Sequence, residues 1–147
     1  MEGPESWRFV VDPTPVLEPG PQGAWDSVDV LNPTVVRRGG KFFNLYSGFD
    51  GKTWRTGLAT SADGRNWTKL AANPVLGPRA DTWEGDYIAA NGTAVGDGDE
   101  FLYWYQAGRP PRIGLARSAD AREWRRRGTP VLEPGPVGTW DEASKTF

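Results

Sequence analysis

The sequence predicts an all-β fold made of repeated four-stranded antiparallel units. Residues 14–26 return as residues 129–141 with only two differences in thirteen positions, and a looser copy begins at Asn73. The copies are spaced by about 58 residues, which is typical of one supersecondary unit stacked several times. Thirteen Pro and nineteen Gly divide the chain into short pieces without a helical apolar period, so these pieces are predicted to be strands.

The same four strands are predicted in the same order in two successive units. The predicted strands of the first unit are 28–36, 41–47, 55–61 and 67–70, and those of the second are 87–95, 100–105, 112–118 and 123–126. Repeated units of four antiparallel strands are the blades of a β-propeller. A sandwich or a barrel also contains many short strands, but neither accounts for so strict a period.

The repeat also predicts how the chain is divided. Residues 1–14 are expected to hold an orphan outer strand of a preceding blade, 15–73 and 74–129 one blade each, and 130–147 the start of the next blade. Two blades cannot close a ring, and their open faces would expose apolar surface. We therefore expect either the remainder of a longer propeller or a homo-oligomer in which several copies complete one.

Composition excludes several classes of function. A net charge of -2 argues against nucleic acid and against anionic membrane as partners. No run of about 20 apolar residues is present, so no membrane span is predicted. The first six residues lack the basic and apolar regions of a signal peptide, which predicts a cytoplasmic location unless the chain was cut from a longer precursor.

The chain contains neither Cys nor His. This excludes a disulfide framework, a thiol nucleophile, a Ser-His-Asp triad and a histidine metal cluster. The acidic segment 97–100 lacks the ligand spacing of a Ca²⁺ loop, so it is predicted to be a hairpin turn. We expect no metal and no cofactor, and acid–base chemistry near neutral pH must then depend on Asp, Glu, Tyr or Lys.

Two groups of motifs carry a resemblance to a known family. The first is Asn-Pro-Thr-Val-Val at 32–36 with Tyr-Ser-Gly at 46–48, and the second is Gly-Leu-Ala-Thr-Ser-Ala-Asp-Gly-Arg-Asn-Trp at 57–67 with Asn-Pro-Val-Leu at 73–76. Together they resemble the five-bladed propeller glycosidases, the superfamily of invertase, levansucrase, arabinanase and mannoside-phosphorylase relatives. Residues 61–67 also resemble the Asp-box of sialidases, although they lack the residue between Asp and Gly.

The resemblance implies an active site at one end of the central channel, where the innermost strands of different blades bring carboxylates together. In that superfamily an Asp serves as nucleophile or base, a Glu as general acid, and a further Asp binds substrate. Cleavage of a glycosidic bond needs two carboxyl groups about 5 Å apart for retention, or roughly 6.5 to 9.5 Å apart for inversion.

Three carboxylates are the catalytic candidates. Asp29 and Asp86 lie beside apolar strands near the predicted axis, where a charge is costly unless it is solvated, paired or functional. Glu84 follows a tryptophan, as Asp26 and Asp141 do. This repetition favours a structural role for Glu84, whereas its position at the entry to an innermost strand favours a functional one.

Four residues are candidates for binding a sugar. Asn32 recurs as Asn91, and its amide can bond backbone or sugar hydroxyls. Trp54, Trp104 and Gln106 have no counterpart in the other unit, and unrepeated aromatic and amide side chains suit stacking on a sugar ring and bonding to its hydroxyls. Some of these side chains can equally face a neighbouring blade.

Residues that recur without change are predicted to build the unit. Asp63 and Asp120 occupy the same position of a turn and are expected to bond backbone N–H groups there. Trp67 and Trp124 are expected to pack between blades.

The sequence as a whole predicts a glycoside hydrolase-like propeller that acts on carbohydrate through paired carboxylates. The alternatives are a noncatalytic carbohydrate-binding or scaffold propeller, and an inactive propeller fragment that assembles by oligomerisation. Fold similarity alone does not decide among them.

Overall fold

The computed structural model describes residues 8–143, which form an eight-stranded sheet built from two successive blades. The strands of the first blade are β1 (Asp29–Arg38), β2 (Lys41–Phe49), β3 (Trp54–Ser61) and β4 (Thr68–Lys69). Each strand pairs antiparallel with the next. Gly39 and Gly40 join β1 to β2 at φ 55° and 75°, which suits a two-residue turn that matches the twist of the strands.

The second blade repeats this order. Its strands are β5 (Ile88–Asp97), β6 (Glu100–Ala107), β7 (Arg112–Ser118) and β8 (Arg125–Arg126), again paired antiparallel in sequence. Each of the eight strands overlaps a strand predicted from the sequence, and the described residues contain no helix. No helix of the described residues is therefore long and apolar enough to cross a membrane.

The two blades pack face to face and share one core. The Phe43 and Phe101 rings lie 5.0 Å apart between centroids, with Leu45 and Tyr103 buried beside them. The Thr56 hydroxyl donates to the carbonyl oxygen of Ala89 at 2.9 Å, which ties β3 to β5. A short parallel pairing of β3 with β5 completes the junction.

The first strands of the two blades, β1 and β5, lie beside each other and carry the same irregularity. The register of β1 against β2 shifts between Leu31 and Thr34, and that of β5 against β6 shifts between Ala90 and Thr93. Asn32 and Asn91 lie in these bulges at φ 50° and 53°. Asn tolerates the left-handed conformation better than most residues, which accounts for its recurrence there.

The flanking segments differ from their prediction in one respect. Residues 8–14, the described part of the predicted orphan strand, form no strand, and Phe9, Val10 and Val11 are exposed. A strand forms only beside another strand, and the described residues supply no neighbour for this segment. Trp7 and residues 144–147, the end of the predicted next blade, lie outside the described residues.

The repeated turns are confirmed. The Asp63 carboxylate accepts backbone N–H bonds from Arg65 and Asn66, both at 2.8 Å. Asp120 does the same for Arg122 and Glu123. The Trp124 ring tilts against Tyr103 at 5.7 Å between centroids and packs against the core that the two blades share.

Candidate functional site

A cleft of about 730 Å³ lies beside the start of β5. One wall is the loop between β6 and β7, and another is the segment 135–143. Its polar and aromatic lining residues are Trp54, Tyr87, Asn91, Gln106, Arg109 and Glu142. A volume of this order is typical of a small-molecule site.

A chain of amide side chains crosses the floor of the cleft. The Asn32 side chain donates to Asn91 Oδ1 at 2.6 Å, and the Asn91 amide donates to Gln106 Oε1 at 3.2 Å. The Ser47 hydroxyl also donates to Asn91 Oδ1, at 3.1 Å, and accepts from the backbone N–H of Asn91. These bonds fix the orientation of Asn91 and leave further amide donors and acceptors for a ligand.

Aromatic and cationic groups stand around this floor. The Arg109 guanidinium lies 4.0 Å from the centroid of the Tyr87 ring, a cation–π contact that holds both side chains in place. Trp54 stacks on Phe49 at 4.5 Å between centroids, so one face of its indole is supported from behind. Aromatic faces beside amide groups suit the apolar faces and hydroxyls of a sugar.

Glu142 is the one carboxylate among the described residues that line the cleft. Its Oε2 accepts a hydrogen bond from the backbone N–H of Gly138, which orients it within the segment 135–143. The cleft therefore carries one cation and one anion. A single lining carboxylate does not make the pair that glycosidic cleavage requires.

The structure brings together three of the four predicted sugar-binding residues. Trp54 and Gln106 line the cleft, and Asn32 is one hydrogen bond away from Asn91, which lines it. Trp104 does not line the cleft. It pairs with Thr93 and Leu115 in the middle of the sheet and is half-buried.

Glu84 lies outside the cleft in a buried cluster. Its side chain accepts a hydrogen bond from the Tyr105 hydroxyl at 2.6 Å and forms an ion pair with Arg126. The residue is only 2% exposed, so its carboxylate is satisfied by the protein itself. Burial raises the pKa of Tyr105, and its hydrogen bond to Glu84 raises it further, so this tyrosine stays a neutral donor.

The first blade contains the same cluster. Asp26 accepts from the Tyr46 hydroxyl at 3.1 Å and pairs with Lys69 Nζ at 2.5 Å. Burial raises the pKa of Tyr46 as well, and the negative charge of Asp26 raises it further. We call these two sites the acid–tyrosine–cation clusters. Because the same contacts recur in both blades, they favour a structural role for Asp26 and Glu84.

Asp29 and Asp86 are exposed, and neither lines the cleft. Asp29 is the first residue of β1, and Asp86 lies two residues before β5. In the part of the chain that the structure describes, no three Asp or Glu side chains converge in a way that would hold a metal ion. The three predicted catalytic carboxylates therefore lie in different surroundings, and they do not form a pair in the cleft.

Tyr87 and Arg109 line the cleft but were not among the predicted site residues. Arg109 belongs to the loop 108–111, and the corresponding loop of the first blade, 50–53, contains no arginine. The rule that singled out Trp54, Trp104 and Gln106, absence from the other copy, would also have found Arg109.

The chain is similar in structure to glycoside hydrolases of about twice its length or more. A candidate glycoside hydrolase from Parabacteroides distasonis matches with a TM-score of 0.71 and 25% identity, over 88% of this chain and 43% of that chain. A glycosyl hydrolase from Bacteroides ovatus matches with a TM-score of 0.62 and 26% identity, over 69% of this chain and 32% of that one.

A family 117 glycoside hydrolase from Zobellia galactanivorans shares the fold at 16% identity, with a TM-score of 0.69, over 87% of this chain and 46% of that one. No protein-family model matches the sequence, and neither does any curated protein. The all-β, propeller-blade fold and the resemblance to propeller glycosidases are confirmed. The chain spans less than half the length of each of these structures.

Proposed function

We propose that this chain is the carbohydrate-binding part of a glycoside hydrolase-like propeller, and that the sugar binds in the cleft beside β5. The observation that carries the proposal is the composition of that cleft. Supported aromatic faces at Trp54 and Tyr87 stand beside the amides of Asn91 and Gln106 within one cavity of about 730 Å³. The similarity to glycoside hydrolases supports carbohydrate as the ligand class.

Each group has a distinct part in this proposal. The indole of Trp54 offers a flat apolar surface for one face of a sugar ring. Gln106 and Asn91 hold each other in a fixed orientation, so their remaining donors and acceptors meet the hydroxyls without losing much side-chain freedom. Arg109, held over Tyr87, adds a cation that can donate hydrogen bonds to a sugar hydroxyl or pair with an acidic substituent.

The test compares two glutamine variants. Gln106→Ala removes a cleft amide, whereas Gln22→Ala removes the chain's other glutamine from an exposed turn. With a panel of oligosaccharides titrated calorimetrically, we expect Gln106→Ala to weaken the best ligand about tenfold, the value of one hydrogen bond, and Gln22→Ala to leave it unchanged. Equal affinities of both variants would contradict a site in this cleft.

A second candidate function is cleavage of the bound glycoside by paired carboxylates. Glu142 favours it, because this carboxylate lines the cleft and is oriented by a backbone hydrogen bond. The partner carboxylate is then an acid from a further blade or Asp86, which does not line the cleft but precedes Tyr87, a residue that does. Asp29 and Glu84 are less suited. Neither chain neighbour of Asp29 lines the cleft, whereas Tyr87 beside Asp86 does, and Glu84 is buried in its cluster.

Cleavage is separated from binding by isosteric variants. We expect Glu142→Gln to abolish release of reducing sugar while ligand affinity stays within a factor of about three, because the amide keeps its shape but cannot donate an acidic proton. Asp86→Asn tests the partner acid, and Asp29→Asn is the matched control outside the cleft. Turnover that survives Glu142→Gln would contradict a catalytic role for Glu142.

The open faces of the two blades indicate what kind of partner the chain has. We propose that the remainder of a longer propeller, or further copies of the chain, covers these faces. The chain's similarity to less than half of each glycoside hydrolase supports the first arrangement.

A further inference from the structure

The bulge at the start of β5 leaves a backbone N–H group that the neighbouring blade satisfies. The register of β5 against β6 shifts between Ala90 and Thr93, so Asn91 has no partner in the ladder. Its backbone N–H donates instead to the Ser47 hydroxyl of β2 at 3.0 Å. Ser47 is fully buried, so its own O–H group must find an acceptor inside the protein.

That acceptor fixes which way the side-chain amide of Asn91 is turned. The Ser47 hydroxyl donates to Asn91 Oδ1 at 3.1 Å, and the Asn32 side chain donates to the same oxygen at 2.6 Å. An amide oxygen has two lone pairs, so Asn91 Oδ1 has no capacity left for a ligand. What Asn91 still offers is its NH₂ group, of which one N–H bonds to Gln106 Oε1 at 3.2 Å and the other is left for a ligand.

The polarity of Gln106 follows from the same network. Its Oε1 accepts the Asn91 N–H, so the rest of its amide is an NH₂ group with two donors. Within residues 8–143 this NH₂ group has no protein partner, although Gln106 is half-buried and lines the cleft. The amides on the floor of the cleft therefore offer mainly donors to a ligand.

The loop 108–111 adds a cation to these donors. The Gly108 backbone N–H donates to the carbonyl oxygen of Glu84 at 2.9 Å, which fastens the start of the loop. Two prolines follow Arg109 and restrict the backbone on its C-terminal side. The guanidinium lies 4.0 Å from the centroid of the Tyr87 ring, a contact that leaves its N–H groups to a ligand.

No acid among the described residues neutralises Arg109. Arg112, at the other end of the same loop, pairs with Glu133 at 3.2 Å, whereas Arg109 forms no ion pair within residues 8–143. Glu142 lines the same cleft but belongs to its other wall, where it accepts from the Gly138 backbone N–H. The positive charge on the loop wall is therefore available to a ligand.

We propose that the cleft selects a sugar with an anionic substituent, and that Arg109, Gln106 and Asn91 bind this substituent. A carboxylate or sulfate oxygen accepts hydrogen bonds and donates none, which matches N–H donors beside one cation. A sugar hydroxyl both donates and accepts, so these donors use only part of what it offers. The inference rests on the proposed function, because it names the class of sugar for the same cleft.

The test uses pairs of oligosaccharides that differ in one anionic group. Each uronic acid is paired with its methyl ester and each sulfate ester with its desulfated form, so the two arms distinguish a carboxylate from a sulfate. Affinities for the wild-type chain are measured by titration calorimetry. We expect the acidic member of the best-bound pair to bind at least about tenfold more tightly than its neutral partner, the effect of a hydrogen bond to a charged group.

The cation is tested by Arg109→Gln. We expect this variant to reduce the preference for the acidic member to less than about twofold, while the affinity for the neutral partner stays within a factor of about three. Arg127→Gln is the matched control, because it removes the same charge from an exposed arginine outside the cleft and should keep the preference. Arg109 is itself exposed, so its replacement should leave the fold intact.

The donors of the floor are tested by Gln106→Glu. The new carboxylate has the shape of the amide and still accepts from Asn91, but it offers only acceptors and a negative charge. We expect the acidic sugar to lose at least about 30-fold in affinity and its neutral partner no more than about tenfold. Equal losses for both members overturn the proposal.

Failure of this inference is distinguishable from failure of the proposed function. Acidic and neutral members that bind equally well, both weakened by Gln106→Ala, overturn the anionic ligand and leave sugar binding in the cleft in place. A preference that survives Arg109→Gln, or that Arg127→Gln removes as well, also overturns it. Absence of binding by every pair overturns the proposed function and this inference together.

Discussion

At the scale of single residues, the two acid–tyrosine–cation clusters differ in how well the cation is shielded. The Arg126 side chain is 9% exposed beside Glu84, whereas the Lys69 side chain is 29% exposed beside Asp26. Arg126 also donates to the carbonyl oxygen of Gly77 at 2.7 Å. A buried guanidinium with fixed partners is more costly to leave unpaired than a lysine that reaches water.

This difference predicts the effect of neutralising each acid. We expect Glu84→Gln to lower the free energy of unfolding by about 3 kcal/mol, because Arg126 is left charged and buried, and Asp26→Asn to lower it by only about 1–2 kcal/mol. Both are measured by urea denaturation at neutral pH. A larger loss for Asp26→Asn would contradict the assignment of the costlier burial to the second blade.

The turn aspartates predict a dependence of stability on pH. Backbone N–H bonds from Asn66 and Arg65 hold the pKa of Asp63 below its usual range, and the bond from Arg122 acts likewise on Asp120. A folded-state pKa below the unfolded one stabilises the fold above the unfolded pKa of about 4, and this stabilisation is lost as pH falls through the folded value.

We therefore expect the wild-type chain to exceed Asp63→Asn in stability at neutral pH, with the difference shrinking below about pH 4. Thermal unfolding of both proteins between about pH 6 and pH 2 measures this difference in stability. The contribution of the other acids is common to both proteins and cancels in the difference. A difference that stays constant over this range would show that the charge of Asp63 does not matter.

At the scale of the elements, glycines in β2 and β3 make room for the turn that enters the blade. A Cβ on Gly57 would lie 2.6 Å from both the Trp25 and the Tyr46 rings. β3 pairs with β2 on one side, so the strand cannot move away without breaking its ladder. The turn therefore packs on the sheet because glycine leaves room for Trp25, and the Asp26–Lys69 ion pair holds it there.

Gly57→Ala should destabilise the chain by about 1–3 kcal/mol, the usual cost of overpacking a core. Gly128→Ala is the matched control, because no atom lies within 4 Å of its added Cβ and its φ is not positive. The control should change stability by less than about 0.5 kcal/mol. Urea denaturation of the two variants gives the comparison, and equal effects would show that Trp25 does not pack as described.

The elements were also the part of the fold that could be predicted from the sequence. Turn residues such as Gly39 and Gly40 bound short apolar runs, so the existence and order of β1 to β8 follow from local chemistry. The bulges at Asn32 and Asn91 did not follow, because a register shift depends on the partner strand. The orphan strand predicted within residues 1–14 needs a neighbouring strand, which the described residues do not contain.

At the scale of the whole molecule, the most protected part lies between the blades. Leu45, Leu58, Ala89, Tyr103 and their neighbours are almost fully buried there. The outer faces of both blades and the segment before the first turn are open to solvent. Stability is therefore expected to fall from the shared core outwards.

Hydrogen exchange followed by mass spectrometry measures this gradient. We expect the slowest exchange in β2, β3, β5 and β6, whose amides are in ladders next to the core, and exchange within the dead time for residues 8–19, which belong to no strand. Strong protection of residues 8–19 would contradict the exposed position of this segment and show that something covers it in solution.

The sequence by itself determined the blade architecture and the residue types available for chemistry, because repeat period, turn residues and composition are local properties. It also selected Trp54 and Gln106 for the cleft, through their absence from the other copy. The tertiary structure alone decided the surroundings of each acid, because the same Trp-acid motif is buried at Glu84 and exposed at Asp141 according to whether a blade lies against it. That contact is made between residues far apart in the chain, which no local pattern encodes.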